Sequence, residues 1–197
     1  MSYLIGLTGS IGMGKSTTAR MFAEEGCAVW DADAAVHRLY APGGAAVAPM
    51  AEAFPDAIVD GGVSREKLKE AIGADPTALR RIEQIVHPLV ALDRQAFITA
   101  TDADIVVLDI PLLFEGKGAA SMDTTVVVSV EPEVQRARVL ARGTMTEAQF
   151  EAIRAKQMPD AEKRKLADHV VLTDTLDHAA EQVRAIVAGI RKELADA

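Results

Sequence analysis

The chain has 197 residues, 49% of them hydrophobic, and a formal charge of −8 from 21 Lys and Arg against 29 Asp and Glu. That length suits one domain with small appendages, and the acidic balance argues against a nucleic-acid or membrane partner, since both need a basic footprint. A single cysteine, Cys27, excludes an internal disulfide, the four histidines lack metal-ligand spacing, and with no signal peptide or membrane-length apolar run the chain reads as cytoplasmic.

In chain order, Tyr3–Gly9 is a short apolar run ending at glycine, as a buried strand does. Lys15–Glu25 reads as a helix closed by Gly26. A second strand-like run covers 27–33 and ends on Asp31 and Asp33, with Cys27 as a buried strand residue. Three more runs follow at Ile105–Ile110, Thr124–Val130 and His169–Leu172. All are mostly β-branched without clean alternation, which suits strands covered on both faces. Helical patterns at Pro132–Arg142, Glu147–Gln157 and Leu176–Leu194 separate them, so the chain predicts an α/β fold with a parallel sheet between helices.

Residues 34–104 break that alternation. "APGGAAVAP" and "DGGVS" mark loops between helical patterns, and only Ala57–Val59 has strand character. Asp75-Pro76 predicts a helix start with Asp75 as N-cap, and His87-Pro88 reads as a break between two helices, because proline disfavours helix in the preceding residue. A second insertion, 142–168, reads as a charged helical hairpin with a capping box at Thr146–Gln149. The division predicted is a sheet-bearing core of 1–33, 105–141 and 169–197, a mostly helical region of 34–104, and a second helical insertion of 142–168.

Between the first strand and first helix stands Gly9-Ser10-Ile11-Gly12-Met13-Gly14-Lys15-Ser16-Thr17, which fits the phosphate-loop pattern of P-loop NTPases without a mismatch. Its glycines let the backbone wrap a phosphate with N–H groups inward, and the helix adds its positive end. Gly12, Met13, Gly14, Lys15, Ser16 and Thr17 are thus the ATP-binding residues, Lys15 reaching the β and γ oxygens and Ser16 carrying Mg²⁺ on its hydroxyl. No Asn-Lys-x-Asp stretch reads guanine, and the two insertions lie where small-molecule kinases carry acceptor and lid segments. Asp109 ends a Walker-B-like strand and reads either as a residue behind the metal or as a buried hydrogen-bonding group.

"DADAAVHRLY" from Asp31, "HPLV" from His87, "PLLFE" from Pro111 and the stretch from Arg142 to Val171 resemble the dephospho-CoA kinases, in that family's order along the whole chain. The resemblance implies a five-stranded parallel sheet with a helical substrate-binding region and a lid. It also implies ATP-dependent phosphorylation of the ribose 3′-hydroxyl of dephospho-CoA, with small-molecule partners and a monomer or small homo-oligomer. Asp33 matches the family's acceptor-aligning aspartate, and Arg142 the lid arginine that neutralises the transferring phosphoryl group, with Arg138 one turn before it. Arg154 and Gln157 match lid-exit positions near the nucleotide, His87 falls beside the acceptor, and Leu112, with Leu113 and Phe114, either walls the acceptor pocket or packs the core. Two positions depart from the family: Gly143 stands where Asp or Asn is usual, and Leu172-Thr173-Asp174 where the family has Ile-Asp-Asn near the adenine.

Overall fold

The computed structural model describes residues 2–116 and 118–196, which form two compact units: residues 2–30 with 102–196, and residues 31–101. The first unit is built on a five-stranded parallel sheet of order β2-β5-β1-β6-β7. The strands are β1 (Tyr3–Thr8), β2 (Ala28–Asp31), β5 (Ile105–Asp109), β6 (Thr124–Ser129) and β7 (His169–Leu172). β1 lies at the centre, with Leu7 opposite Asp109 on one side and Val126 on the other. β5 and β6 are buried at every position, which is why their sequences run apolar instead of alternating.

One face of the sheet packs against α1 (Lys15–Glu24) and the long C-terminal α9 (Leu176–Asp196). Ile5, Leu7, Val107, Val126 and Val128 meet Phe22 of α1 and Val183 and Val187 of α9 in one apolar cluster. Cys27 belongs to it, and burial pushes its thiol pKa up to about 11, so it is a packed hydrophobe and not a nucleophile at neutral pH. On the other side, Leu113 and Met122 crowd the backbone at Gly6. The remaining helices of this unit are α6 (Pro132–Ala141), α7 (Glu147–Arg154) and α8 (Asp160–Leu166). The expected capping box opens α7: the Thr146 hydroxyl accepts from Gln149 N–H while the Gln149 side chain accepts from Thr146 N–H.

The second unit holds α2 (Ala32–Tyr40), α3 (Val47–Ala53), α4 (Arg65–Ala74) and α5 (Ala78–Ala100), with an antiparallel pair of β3 (Ile58–Val59) and β4 (Gly62–Val63). It has its own core, in which Leu39, Met50, Phe54, Leu68, Ile82 and Val86 pack together. Arg38 of α2 pairs with Asp93 of α5 at 2.6 Å, and the Arg81 guanidinium lies over the Phe54 ring, 4.6 Å from its centre.

Three local expectations are corrected. The strand expected to run to residue 33 stops at Asp31, whose carboxylate accepts from Ala34 N–H and caps α2; Asp33 therefore sits in the first helical turn. The helix expected to start at Asp75-Pro76 begins at Ala78, because Asp75 spends its carboxylate on the N–H and hydroxyl of Thr77 in a preceding turn. His87-Pro88 does not break the chain: α5 is one 23-residue helix with Pro88 inside. Proline at 88 deprives the Gln84 carbonyl of its helical partner, but both residues are exposed, so that oxygen is not confined in an apolar core.

Candidate active site

The phosphate loop leaves β1 at Thr8 and enters α1 at Lys15. Gly12 and Gly14 have φ of 76° and 92°, in the left-handed region that a side chain resists. A Cβ on Gly12 would also lie 2.4 Å from Val139 of α6, so the loop is pressed against that helix. Gly14 is the N-cap of α1 and makes no side-chain cap bond, so the N–H groups of the first turn point from the helix end toward the loop. Ser16 is exposed there, and Thr17 half-buried.

Lys15 extends back to the sheet edge and ion-pairs with Asp109, the last residue of β5 and almost fully buried. The loop after β5 is fixed on β1 as well: Ile110 N–H donates to the Leu7 carbonyl at 2.9 Å, and the Thr8 hydroxyl donates to that of Pro111 at 3.0 Å. In this loop Leu113 is fully buried in the core, whereas Leu112 is 52% exposed.

A cleft of about 250 Å³ adjoins the loop, lined by Gly12, Gly14, Thr17, Arg138, Arg142 and Thr173 among others. The structure thus brings Arg138 and Arg142 to the phosphate loop on one cleft. Arg142 is the exposed C-cap of α6. Arg138 is already engaged, donating to the Thr173 hydroxyl at 3.1 Å and to the Thr173 carbonyl. The Thr173 hydroxyl in turn donates to the Met13 carbonyl at 2.7 Å. Threonine at this departure from the family pattern is therefore a buried link between loop, α6 and the end of β7. Arg136 pairs with Glu147 across α6 and α7 at 2.5 Å.

The lid-exit residues separate. Arg154 pairs with Glu151 at 2.8 Å and lines a different cavity of about 490 Å³ with Ser10 and Met13, whereas Gln157 accepts from the Ile11 N–H of the phosphate loop at 3.2 Å. Just beyond, Lys163 of α8 is fully buried and lies 2.9 Å from Glu115, whose carboxylate also accepts from Met158 N–H. Burial opposes ionisation of Glu115, but Lys163 and the Met158 N–H outweigh it and hold its pKa below the ordinary value. Asp33 and His87 belong to the second unit; Asp33 is exposed with no side-chain partner inside that unit, and His87 is exposed on α5.

Sequence reasoning missed Gln135 and Lys163. Gln135, on α6, is 3% exposed and donates to the Ile11 carbonyl at 2.7 Å. Its spacing of three and seven residues from Arg138 and Arg142 puts all three on one helix face, a signal that was available. Nothing in the sequence sets Lys163 apart from the neighbouring surface lysines.

A phosphate loop at the end of a central parallel strand, facing a cleft with two arginines from a following helix, defines a phosphate-loop kinase. Solved structures share the fold: a shikimate kinase from Acinetobacter baumannii superposes with a TM-score of 0.56 at 17% identity, over 98% of this chain and 95% of that one. A Thermus thermophilus protein reaches 0.85 at 32% identity, over 95% and 97% of the two chains. Residues 3–178 match the family described as Dephospho-CoA kinase, and the chain belongs to that family. The dephospho-CoA kinase of Ruegeria pomeroyi is 67% identical over 97% of both chains, and that of Cereibacter sphaeroides 61% over 99% of this chain and 98% of its own. The chain is accordingly a kinase, and the family's reaction is the final step of coenzyme A biosynthesis.

Proposed function

We propose that the chain transfers the γ-phosphoryl group of ATP to the ribose 3′-hydroxyl of dephospho-CoA with Mg²⁺, residue by residue as follows. The observation that carries this reading is the phosphate loop, with Gly12 and Gly14 left-handed, opening on the cleft that Arg138 and Arg142 line. The amides from Gly12 to Thr17 cradle the donor phosphates, and Lys15 exchanges Asp109 for their oxygens. Arg142, exposed at the helix end, neutralises charge spread over the moving phosphoryl group. Arg138 holds the cleft wall through Thr173 and reaches phosphate only by giving up that contact.

The Ser16 hydroxyl and the Asp109 carboxylate are hard oxygen donors at adjoining loop and strand ends, and they suit Mg²⁺, which keeps waters and phosphate oxygens as its other ligands. Among the described residues no group of three acidic, histidine or cysteine side chains offers a cage, and this ion needs none. Ser16 would be its ligand, and the bound ion supplies charge neutralisation to the phosphates.

Asp33, exposed in the first turn of α2, accepts the hydrogen bond of the 3′-hydroxyl and aligns it, and His87 and Leu112 contact the rest of the acceptor. In a loose transition state such positioning counts for more than proton removal. The reading includes a cytoplasmic monomer or small homo-oligomer.

An ADP-release assay with ATP and Mg²⁺ tests it. Release that requires dephospho-CoA and stops on chelation with EDTA is the expected result; release indifferent to dephospho-CoA contradicts the acceptor, and release indifferent to EDTA contradicts the metal.

A further inference from the structure

The residue Ile11 sits in the middle of the phosphate loop, and both of its peptide groups are taken by side chains from outside the loop. Its carbonyl accepts from Gln135 Nε2 at 2.7 Å, and its N–H donates to Gln157 Oε1 at 3.2 Å. Gln135 stands on α6, seven residues before Arg142; Gln157 stands three residues after α7 ends. The two glutamines therefore flank the stretch 136–156, and they meet on one residue of the loop.

Neither contact is an accident of the surface. Gln135 is 3% exposed, and Gly12, next to Ile11, has no room for a Cβ because Val139 and the Gln135 carbonyl stand 2.4 and 3.2 Å from where it would be. The segment beyond Gln157 is itself fixed to the sheet. Met158 N–H donates to Glu115, Lys163 pairs with Glu115, and the Ser129 hydroxyl donates to Asp160 at 2.7 Å. Gln157 thus reaches Ile11 from a rigid base, and Gln135 from a buried one.

We infer that Gln135 and Gln157 are positioning residues that set the orientation of the Ile11 peptide groups, and so register the phosphate loop against α6, which leads into the lid, and against the stretch that follows α7. This rests on the reading of the loop as the donor-phosphate site. A loop whose amides must converge on phosphate has no side chains of its own to hold its crown, so the orientation comes from neighbours. Arg142 stands on the same helix face as Gln135, so the grip also fixes where the lid arginine hangs relative to the loop.

The polarity of the two bonds gives a test that a merely structural role does not satisfy. Gln157 acts as acceptor, so Gln157→Glu keeps the bond and Gln157→Leu loses it. Gln135 acts as donor, so Gln135→Met loses the bond and Gln135→Glu sets a carboxylate against the Ile11 carbonyl. At high salt, which screens an added carboxylate from the phosphates, the expected order of kcat/KM for ATP is wild type, then Gln157→Glu, then Gln157→Leu at one position. At the other it is wild type, then Gln135→Met, then Gln135→Glu. Loss of either bond raises the KM for ATP about fivefold to tenfold, the worth of one hydrogen bond to the loop, and leaves the KM for dephospho-CoA unchanged.

ADP affinity by calorimetry follows the same two orders, which separates this inference from the choice of acceptor. Wild-type enzyme inactive on dephospho-CoA would overturn the acceptor and leave the calorimetric orders to decide on the grip. Gln157→Glu below Gln157→Leu at high salt, where the added carboxylate is screened from the phosphates, would overturn the hydrogen-bond acceptor role of Gln157, and an unchanged ATP KM and ADP affinity in Gln157→Leu would remove the grip altogether. Melting temperatures recorded alongside identify a variant that is merely unfolded; for Gln135, the milder Gln135→Met then carries the comparison.

Discussion

Lys15 and Asp109 show how one pair serves both fold and chemistry. Asp109 is almost entirely buried at the end of β5, and the Lys15 ammonium is its ionic partner across the loop. A buried carboxylate needs such a partner, and a phosphate needs the same cation, so in the proposed reaction nucleotide competes with Asp109 for Lys15. Lys15→Met is expected to lower kcat/KM for ATP about a hundredfold or more while the circular dichroism spectrum keeps its helical shape. Turnover within a factor of two of wild type would remove Lys15 from the reaction. The phosphate loop was fully legible because its chemistry dictates spacing: glycines where φ is positive, lysine and serine at the helix start. Thr173 was not, since a hydroxyl linking Arg138 to the Met13 carbonyl depends on β7 ending beside the loop, and no local pattern encodes that. Asp33 is singled out by family likeness alone, and the strand expected to reach it stops two residues earlier. Asp31 stops the strand by capping α2, and either aspartate of Asp31-Ala32-Asp33 has the chemistry to cap.

Among the elements, α1 carries the loop at one end and the core along its side. Thr18, Ala19 and Phe22 are its buried residues, and Phe22 is fully enclosed among sheet and α9 side chains. Phe22→Ala should therefore cost about 3–5 kcal/mol in stability, read as a shift of the urea unfolding midpoint at unchanged slope. A loss under 1 kcal/mol would mean that α1 does not depend on this face. The strands were readable because burial on both sides leaves uninterrupted apolar runs, as in "IVVLD" and "TTVVVS". α5 was misread as two helices because proline acts locally and packing does not: Ile82 and Val86 hold the helix on the core before Pro88 can end it.

Across the whole molecule, the acidic groups tie distant segments together. Arg191 on α9 pairs with Asp104 at 2.9 Å, Thr125 on β6 donates its hydroxyl and N–H to Asp168, and Glu115 pairs with Lys163. The Arg191 hydrogen bond holds the Asp104 pKa below its usual value, the Thr125 hydroxyl does so for Asp168, and Lys163 does so for Glu115 against the cost of burial. The native state therefore binds fewer protons than the unfolded chain on the acid side. The stability these groups supply is complete above the ordinary carboxylate range near pH 4 and is lost as pH falls through their lowered values. The melting temperature should hold steady from pH 8 to 6 and drop below about pH 4.5, less steeply in Glu115→Gln, whose neutral-pH stability is already reduced. A melting temperature that rises on acidification would contradict this.

The claim on which the proposed function depends is that a phosphoryl group arrives on the ribose 3′-oxygen of dephospho-CoA. Phosphorus-31 NMR of the product formed from ATP, Mg²⁺ and dephospho-CoA reads it directly. A new monoester resonance identical to that of the 3′-phosphate of authentic coenzyme A, growing in step with ADP, is the expected result. ADP accompanied only by inorganic phosphate, or faster phosphorylation of a nucleoside monophosphate under the same conditions, would contradict it.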